Sequence, residues 1–235
     1  MVVAAAVGAA VAGRDLSACT APAANVSSGN ASLLRETIAN AADGECILVL
    51  SEVALDGSLE VFSTNKTGVI LSGGVQNRIF RLENGAGLIL KNLTVASGYT
   101  SSTGGCITAE DSDVTLYDSA LVNCSSESHG GAVYIEDGST LQLYGTSSIE
   151  DSSSKVYGGG VASLDSTMTV TDESRLLGNA AQRGGGVYLD SGSALTMDSS
   201  SFVANCSAEV YGGGIFATFI SSVTLEDSVG VYNSS

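Results

Sequence analysis

The chain has 235 residues, of which 44% are hydrophobic, and 25 acidic residues stand against 9 basic ones, for a formal net charge of -16. The hydrophobic content suffices for a core. The acidic balance, with no cluster of Lys or Arg, counts against nucleic acid, anionic membrane surfaces and polyanionic sugars such as pectate. At this length one or two domains are possible, and the continuous repeat described below favours one.

The N-terminus begins with an apolar run over residues 1–12. This run is too short to span a bilayer, so we expect no membrane span within the chain. Ala10-Val11-Ala12 fits a small-residue cleavage site, which predicts a signal peptide whose basic first region is missing. The alternative is a flexible Ala-rich terminus. Residues 13–31 are predicted to be a flexible segment.

Residues 32–44 carry a helical pattern. Leu34, Ile38 and Ala41 share one face, Ser32 can cap the start, and Gly44 can end the helix. An amphipathic helix ahead of a repeat domain covers the open end of the core and its unpaired edge. We therefore predict an N-terminal capping helix.

A glycine pair followed by a small residue and Val or Ile recurs through the C-terminal half. The pairs begin at Gly104, Gly130, Gly158, Gly184 and Gly212. Their spacings alternate between 26 and 28 residues. A fixed period in this range indicates a repeat architecture.

Each repeat contains three short apolar segments, shown by Val133 to Ile135, Leu141 to Leu143, and the segment around Ile149. Apolar and polar residues alternate, as in half-buried strands, and Gly, Ser, Asp and Asn separate the segments. This predicts an all-β parallel β-helix over residues 45–235, with about seven coils, three strands per coil and a truncated C-terminus. The alternatives are a sandwich or a propeller, whose blades need about 40 residues.

Asparagine recurs near the end of each repeat. The positions are Asn123, Asn179, Asn205 and Asn233, with Asp151 in the remaining repeat. Asn tolerates left-handed turn conformations, and its amide can bond to the backbone or to the Asn of the next coil. We interpret these residues as a structural ladder.

The pattern resembles the right-handed parallel β-helix of pectin-lyase-like proteins, and most closely the repeat of chlamydial polymorphic outer-membrane proteins. That repeat combines Gly-Gly-Ala-Ile/Val with Phe-x-x-Asn. Gly130 to Val133 matches the first motif, and Phe202 to Asn205 matches the second. The resemblance covers about residues 30–235. It implies a secreted or cell-surface protein, and its motifs specify fold better than function.

Enzymes on this fold need charged groups clustered on one face. Within the regular coils the basic residues are Lys155, Arg175 and Arg183, at different offsets from the glycines, and His129 is the only histidine. We therefore predict no catalytic residue. The principal hypothesis is a non-catalytic adhesion or carbohydrate- and protein-binding module. The alternatives are a polysaccharide lyase or glycoside hydrolase, and a structural fragment of a larger surface protein.

Two surface features are candidates for binding. Strand alternation places Tyr134, Tyr188 and Phe216 outward, and Tyr157 and Tyr211 lie one corner away, next to the glycines. Such columns of rings can stack on sugars or anchor a partner protein. The alternative is packing that merely stabilises the sheet. A glycan or a surface protein is the expected partner of a monomeric chain.

Acidic residues also stack at two corners. Glu136, Asp137 and Asp190 are weak candidates for metal ligands. Calcium can bind between layers of carboxylates, but solvent and salt can equally screen such charges. We predict no firm metal site and no cofactor, with calcium as the open alternative.

Secretion would allow glycosylation and disulfides. Asn25, Asn30 and Asn65 are the predicted glycan acceptors, whereas the sequons at Asn123 and Asn205 lie on the ladder, where inward packing would block a glycan. The cysteines suggest a tie between Cys19 and Cys46. Cys124 and Cys206 lie three coils apart and are interpreted as small buried fillers.

Overall fold

The structure, a computed structural model, describes residues 31–41, 45–63 and 68–235. They form a parallel β-solenoid of about seven coils, a β-helix of the right-handed type. The fold class predicted from the sequence is therefore confirmed. Every strand pairs in parallel with the equivalent strand of the next coil, so each sheet runs along the axis of the tube.

Four sheets make the walls, and we name them A to D. Sheet A contains Cys46–Leu48, Val69–Ser72, Leu93–Ala96, Ala120–Val122, Ser148–Glu150, Arg175–Leu177, Phe202–Ala204 and Gly230–Tyr232. Sheet B contains Val53–Leu55, Phe80–Leu82, Ile107–Glu110, Val133–Glu136, Val161–Leu164, Val187–Asp190 and Ile215–Ala217. Sheet C contains Leu59–Phe62, Gly87–Lys91, Asp113–Tyr117, Thr140–Tyr144, Thr167–Val170, Ala194–Met197 and Ser222–Leu225.

Sheet D is a fourth wall, which the prediction of three strands per coil missed. Its short strands are Tyr99–Thr100, Ser125–Ser126, Ser153–Ser154, Ala180–Arg183 and Ser207–Tyr211. A strand such as Ser125–Ser126 has no apolar alternation for the sequence to reveal, because it is two residues long and polar. Its backbone nevertheless pairs with both neighbouring coils.

The first glycine of each pair turns the chain from sheet D into sheet B. Gly130 has φ +64°, and a Cβ there would lie 2.2 Å from the carbonyl oxygen of Val133. The second glycine allows close approach between coils: a Cβ on Gly131 would lie 2.0 Å from the carbonyl oxygen of Gly159. A side chain at either position would collide with backbone, which explains the repeated glycine pair.

The N-terminal end of the tube is closed by the one helix of the described residues, Ala31–Asn40. Leu34 and Ile38 are buried in the same core cluster as the first coil, and Arg35 and Glu36 on the opposite face are exposed. The helix begins one residue before the predicted start. The predicted end, with Gly44, lies outside the described residues, as does the predicted signal peptide.

The C-terminal coil is open by comparison. Val223, Leu225 and Val231 occupy positions equivalent to buried core residues of the preceding coil, yet they are 37%, 49% and 43% exposed. Phe219 and Ile220 lie beside them in a turn with φ of 44° and 66° and are 73% and 99% exposed. The apolar side chains of the last described layer are therefore exposed, unlike those of the preceding layers.

Candidate binding face

The turn before each of the last four glycine pairs contributes one large side chain, whereas Thr103 precedes the first pair. We call His129, Tyr157, Arg183 and Tyr211 the corner column. The backbones of His129 and Tyr157 form a parallel β-bridge, as do those of Tyr157 and Arg183, and Arg183 pairs with Tyr211. The glycine that follows each of them fixes the turn, so these four side chains are stacked in register along the axis.

Sheet B contributes a second column on its outer surface. We call Tyr134, Ala162, Tyr188 and Phe216 the sheet B column. Tyr134 pairs with Ala162, Ala162 with Tyr188, and Tyr188 with Phe216 in the strand register. Val133, Ile135 and Leu189 on the alternate positions are fully buried in the tube. The direction predicted from strand alternation agrees with this register.

The two columns pack against each other. Tyr134 and Tyr188 are only 6% and 4% exposed, although they lie outside the tube. They form a separate hydrophobic cluster with Ala162, and Tyr157, Leu164 and Phe216 pack against it. Tyr134 and Tyr188, which were predicted as candidate ligand-binding residues, therefore offer little ring surface to a ligand, because the rings of the corner column fold over them.

The rings form a continuous ladder across the coils. The centroids of His129 and Tyr157 are 4.7 Å apart, and those of Tyr157 and Tyr188 are 4.4 Å apart with 7° between the ring planes. Phe216 stacks on Tyr188 at 5.7 Å and on Tyr211 at 5.9 Å. Tyr211 is 56% exposed, and His129, Tyr157 and Phe216 are partly exposed. The accessible part of the ladder is thus mainly the corner column.

Arg183 interrupts the rings of the corner column with a cation. Its guanidinium carbon lies 5.6 Å from the ring centroids of both Tyr157 and Tyr211, a distance suited to cation–π attraction. Its Nη1 donates a long hydrogen bond of 3.5 Å to the hydroxyl of Tyr157. The only signal in the sequence that Arg183 belongs to this face is its position directly before a glycine pair.

Two buried phenols of the sheet B column are tied to carboxylates. Tyr134 donates a 2.9 Å hydrogen bond to Glu136, and Tyr188 donates one of 2.9 Å to Asp190. Burial raises the pKa of both phenols, and the neighbouring carboxylates raise it further. Burial also raises the pKa of Glu136, while the hydrogen bond from Tyr134 opposes that shift. Glu136 and Asp190 thus stabilise the ring ladder by accepting hydrogen bonds from its two buried phenols.

The remaining acidic corner residues serve the turns. Asp137 has φ 55°, and Asp111 and Asp165 occupy the equivalent left-handed position in their coils. At the next corner Asp118 accepts a 3.0 Å hydrogen bond from the backbone N–H of Thr146. Across the described residues, no group of three or more His, Cys, Asp or Glu side chains is arranged to hold a metal ion.

A polar cavity of about 400 Å³ lies beside the ring ladder, toward the N-terminal end of sheet B. Its lining includes Arg78, Arg81, Thr108, Glu110 and Glu136. The Nη1 of Arg78 lies 2.6 Å from Glu52, and Glu110 and Glu136 face each other in strand register. The cavity therefore extends the candidate binding face from rings to charged groups.

The asparagines occupy the corner between sheets A and D. Asn123, Asn205 and Asn233 have φ of 53°, 53° and 50°, whereas Gly178 takes this left-handed position in its coil. Asn179 follows one residue later and is fully buried, donating to the carbonyl of Ile149 and accepting from the N–H of Ser152. The predicted ladder is thus out of register at Asn179.

The positions of the sequons differ from the expectation in the same way. Asn205 is exposed and Asn123 is half-buried, because the residue that points into the tube is the next one, Cys206 or Cys124. Inward packing therefore blocks neither asparagine. The predicted acceptors Asn25, Asn30 and Asn65 lie outside the described residues.

Cys124 is bonded to Cys106 in a disulfide, so its interpretation as a simple filler is wrong. The two residues lie at neighbouring corners of one coil, with Cα atoms 5.5 Å apart. Cys206 is free and buried, and Cys46 is disulfide-bonded. The suggested partner Cys19 lies outside the described residues.

The sequence analysis missed a set of buried serines at the inner corners. They follow the left-handed turn residues, and examples are Ser112, Ser119, Ser139, Ser147, Ser166 and Ser193. The hydroxyl of Ser139 accepts from the N–H of Ser112, and that of Ser147 accepts from the N–H of Ser119. The signal was the recurrence of Asp-Ser or Asp-Gly-Ser after several strands, as at Asp111-Ser112, Asp118-Ser119, Asp165-Ser166 and Asp137-Gly138-Ser139.

No protein-family model matches the chain, and no solved structure matches it. Within residues 31–41, 45–63 and 68–235, none of the helical structure has the length and apolar character needed to cross a membrane. The geometry of the aromatic rings and of the adjoining cavity is therefore what carries the functional argument.

Proposed function

We propose that this chain is a non-catalytic binding module of a secreted or cell-surface protein, and that it binds glycans through the corner column and the adjoining cavity. The observation that carries the proposal is the stacking of large, partly exposed side chains from successive coils at one corner. Rigid rings at strand spacing offer flat surfaces on which sugar rings can pack.

The accessible rings of this face rest on a rigid support. Tyr134 and Tyr188 lie beneath the accessible rings and are fixed by hydrogen bonds to Glu136 and Asp190. A binding surface with a rigid support loses little conformational entropy when a ligand arrives. The buried part of the ladder thus preorganises Tyr157, Tyr211 and Phe216.

Two features support an extracellular location. The disulfide between Cys106 and Cys124 suits an oxidising compartment. The resemblance of the Gly-Gly and Phe-x-x-Asn motifs to the repeats of chlamydial polymorphic outer-membrane proteins points the same way. A monomeric adhesion module that contacts a host or neighbouring surface fits both features.

The proposal is tested by binding to a panel of glycans. We expect Tyr211→Ser to weaken binding by about tenfold, which corresponds to about 1.4 kcal/mol, without changing the melting temperature. Tyr117→Ser is the matched control, because Tyr117 is an exposed ring that stacks on Tyr144 on sheet C. Equal loss from both variants, or no glycan bound at all, would contradict the proposal.

A polysaccharide-cleaving enzyme is the second candidate, and one observation favours it. Glu110 and Glu136 lie opposite each other on adjacent strands, in a cavity that also contains Arg81. Paired carboxylates on neighbouring strands resemble the acid and nucleophile of retaining glycosidases, which are about 5–5.5 Å apart. Release of reducing sugar ends by the wild-type chain, abolished in Glu136→Gln, would favour this candidate.

The binding proposal requires no cofactor. Calcium binding at Glu136, Asp137 and Asp190 is a separate question. Bound calcium would raise the melting temperature, because a ligand that binds only the folded state stabilises that state. Because Tyr134 and Tyr188 already occupy two of these carboxylates, we expect calcium to act no more strongly than sodium at matched ionic strength.

A further inference from the structure

Among the described cations, only Arg183 and Arg35 have no carboxylate partner, and of these two only Arg183 lies between aromatic rings. The ion pairs are Arg78 with Glu52, Arg81 with Glu83, Lys91 with Glu60, Lys155 with Glu127 and Arg175 with Glu150. Arg35, on the helix, donates its Nε to the backbone oxygen of Glu60. In a chain with a net charge of -16, an Arg that contacts no acid is a distinctive feature.

The guanidinium of Arg183 is held in place by rings. It lies 5.6 Å from the centroids of Tyr157 and Tyr211, on either side along the column. Its Nε is buried and has no hydrogen-bond partner, and the one bond from Nη1 is 3.5 Å long. Most of its donor capacity is therefore unused within the described part of the chain, although its position is fixed.

Such an arrangement suits an anion. A guanidinium presents a planar fork of N–H donors that matches the two oxygens of a carboxylate, and aromatic neighbours hold that fork without neutralising its charge. The same rings can pack against the pyranose that carries the carboxylate. The partly exposed Arg183 is thus chemically complementary to an acidic sugar.

We propose that the corner column recognises a glycan ending in one carboxylate-bearing sugar, with Arg183 as the residue that binds the carboxylate. This rests on the glycan-binding function proposed above and specifies its ligand class. The charge of -16 opposes polyanions at long range, whereas a single terminal carboxylate brings only one charge to the guanidinium. A sulfate ester shares this chemistry, and the test separates the two.

The experiment compares lactose, sialyllactose and a sulfated lactose by calorimetric titration. We expect wild type to bind sialyllactose about tenfold more tightly than lactose or sulfated lactose, and Arg183→Gln to reduce the ratio of sialyllactose affinity to lactose affinity to about one. Arg183→Lys keeps the charge but loses the fork, so we expect it to recover only part of the preference.

Lys155→Gln is the control for charge, because it removes one cation two residues before Tyr157 without touching the guanidinium site. The same loss in Lys155→Gln and Arg183→Gln would overturn the inference, since long-range attraction would then explain it. Equal affinity of wild type for lactose and sialyllactose would overturn it while leaving glycan binding intact. Stronger binding of sulfated lactose would overturn the assignment to a carboxylate, and no binding of any sugar would overturn the proposed function as well.

Discussion

Single residues of the ring ladder divide into support and contact. Tyr188 of the sheet B column is 4% exposed and stacks between Tyr157 and Phe216, whereas Tyr211 of the corner column is 56% exposed. We expect Tyr188→Ala to lower the free energy of unfolding by about 3 kcal/mol, as for a large buried side chain. Tyr211→Ala is expected to cost less than about 1 kcal/mol.

Chemical denaturation of the two variants measures this difference. A similar loss of stability in both would contradict the division between support and contact. Tyr188→Phe is an informative intermediate, because it keeps the stacked ring and removes only the hydrogen bond to Asp190.

Glu136 provides a pH test at the same scale. Burial raises the pKa of its carboxyl in the folded chain, so the folded state binds the proton more tightly than the unfolded state. The contribution of Glu136 to the free energy of unfolding is therefore greatest below the pKa of about 4.3 in the unfolded state. It is lost as the pH rises through the pKa in the folded state. We expect Glu136→Gln to melt at a higher temperature than wild type at neutral pH.

The difference between Glu136→Gln and wild type should shrink as the pH falls toward about 4, where both side chains are uncharged. Glu226→Gln makes the same change of charge at an exposed position of the last coil. If Glu226→Gln shifted the melting temperature with the same pH profile, net charge rather than the environment of Glu136 would be responsible.

At the residue scale, strand alternation predicted the direction of side chains but not their burial. The outward direction of Tyr134 follows from the buried Val133 and Ile135 on either side of it. Its burial depends on the rings of His129 and Tyr157, which come from the corner column of two coils. The alternation of apolar and polar residues along one strand does not predict how side chains from different elements pack against each other.

Between strands, the corners are stabilised by serine hydroxyls that reach across coils. The hydroxyl of Ser193 accepts hydrogen bonds from the N–H of Ser166 and the hydroxyl of Ser163, and donates to the carbonyl of Asp190. Ser193→Ala leaves the buried N–H of Ser166 without this acceptor. We expect a loss of about 1–3 kcal/mol in the free energy of unfolding.

Ser153→Ala is the matched control, because the side chain of Ser153 is exposed on sheet D. Urea denaturation of both variants gives the comparison. A loss below about 0.5 kcal/mol for Ser193→Ala, within the range of surface substitutions, would show that the inner serines are merely small residues that fit the corner.

Sheet C offers a second comparison, between successive strands. Met197 is fully buried, and its strand partner Leu225 in the last coil is 49% exposed. A Lys at position 197 would place an unpaired charge in the core, which costs about 3–5 kcal/mol. The same residue at position 225 can reach water, so we expect a cost of less than about 1 kcal/mol.

Thermal unfolding of Met197→Lys and Leu225→Lys tests this account of the open coil. Equal destabilisation would mean that Leu225 is covered in solution, for example by association of two chains through their last coils. Size-exclusion chromatography of the wild type and of Leu225→Lys would distinguish that case.

The sequence predicted elements well where an apolar period exists. Sheets A, B and C follow the three apolar segments of each repeat, and the glycine pairs mark the turn into sheet B. Sheet D was missed because strands such as Ser153–Ser154 are short and polar and are recognised only by their pairing with other coils. The shift at Asn179 was missed because counting from the glycines does not detect that Gly178 takes the turn.

On the scale of the whole molecule, the tube is a regular scaffold with one distinctive corner. The core, the serines and the glycine pairs repeat from coil to coil and explain stability. The corner column, by contrast, varies between coils, with His129 in one coil and Arg183 between two tyrosines in the others. Function on such a scaffold lies in residues that vary on its faces rather than in the fold itself.

The most direct test of this account is a map of ligand contact by NMR. Amide shifts of the wild-type chain would be followed as the best-binding glycan of the panel is added. We predict the largest changes at Tyr157, Arg183 and Tyr211, with Tyr117 and Tyr144 on sheet C unaffected. Changes centred on the Tyr117 and Tyr144 pair, or spread evenly over the coils, would contradict the claim that the corner column is the binding face.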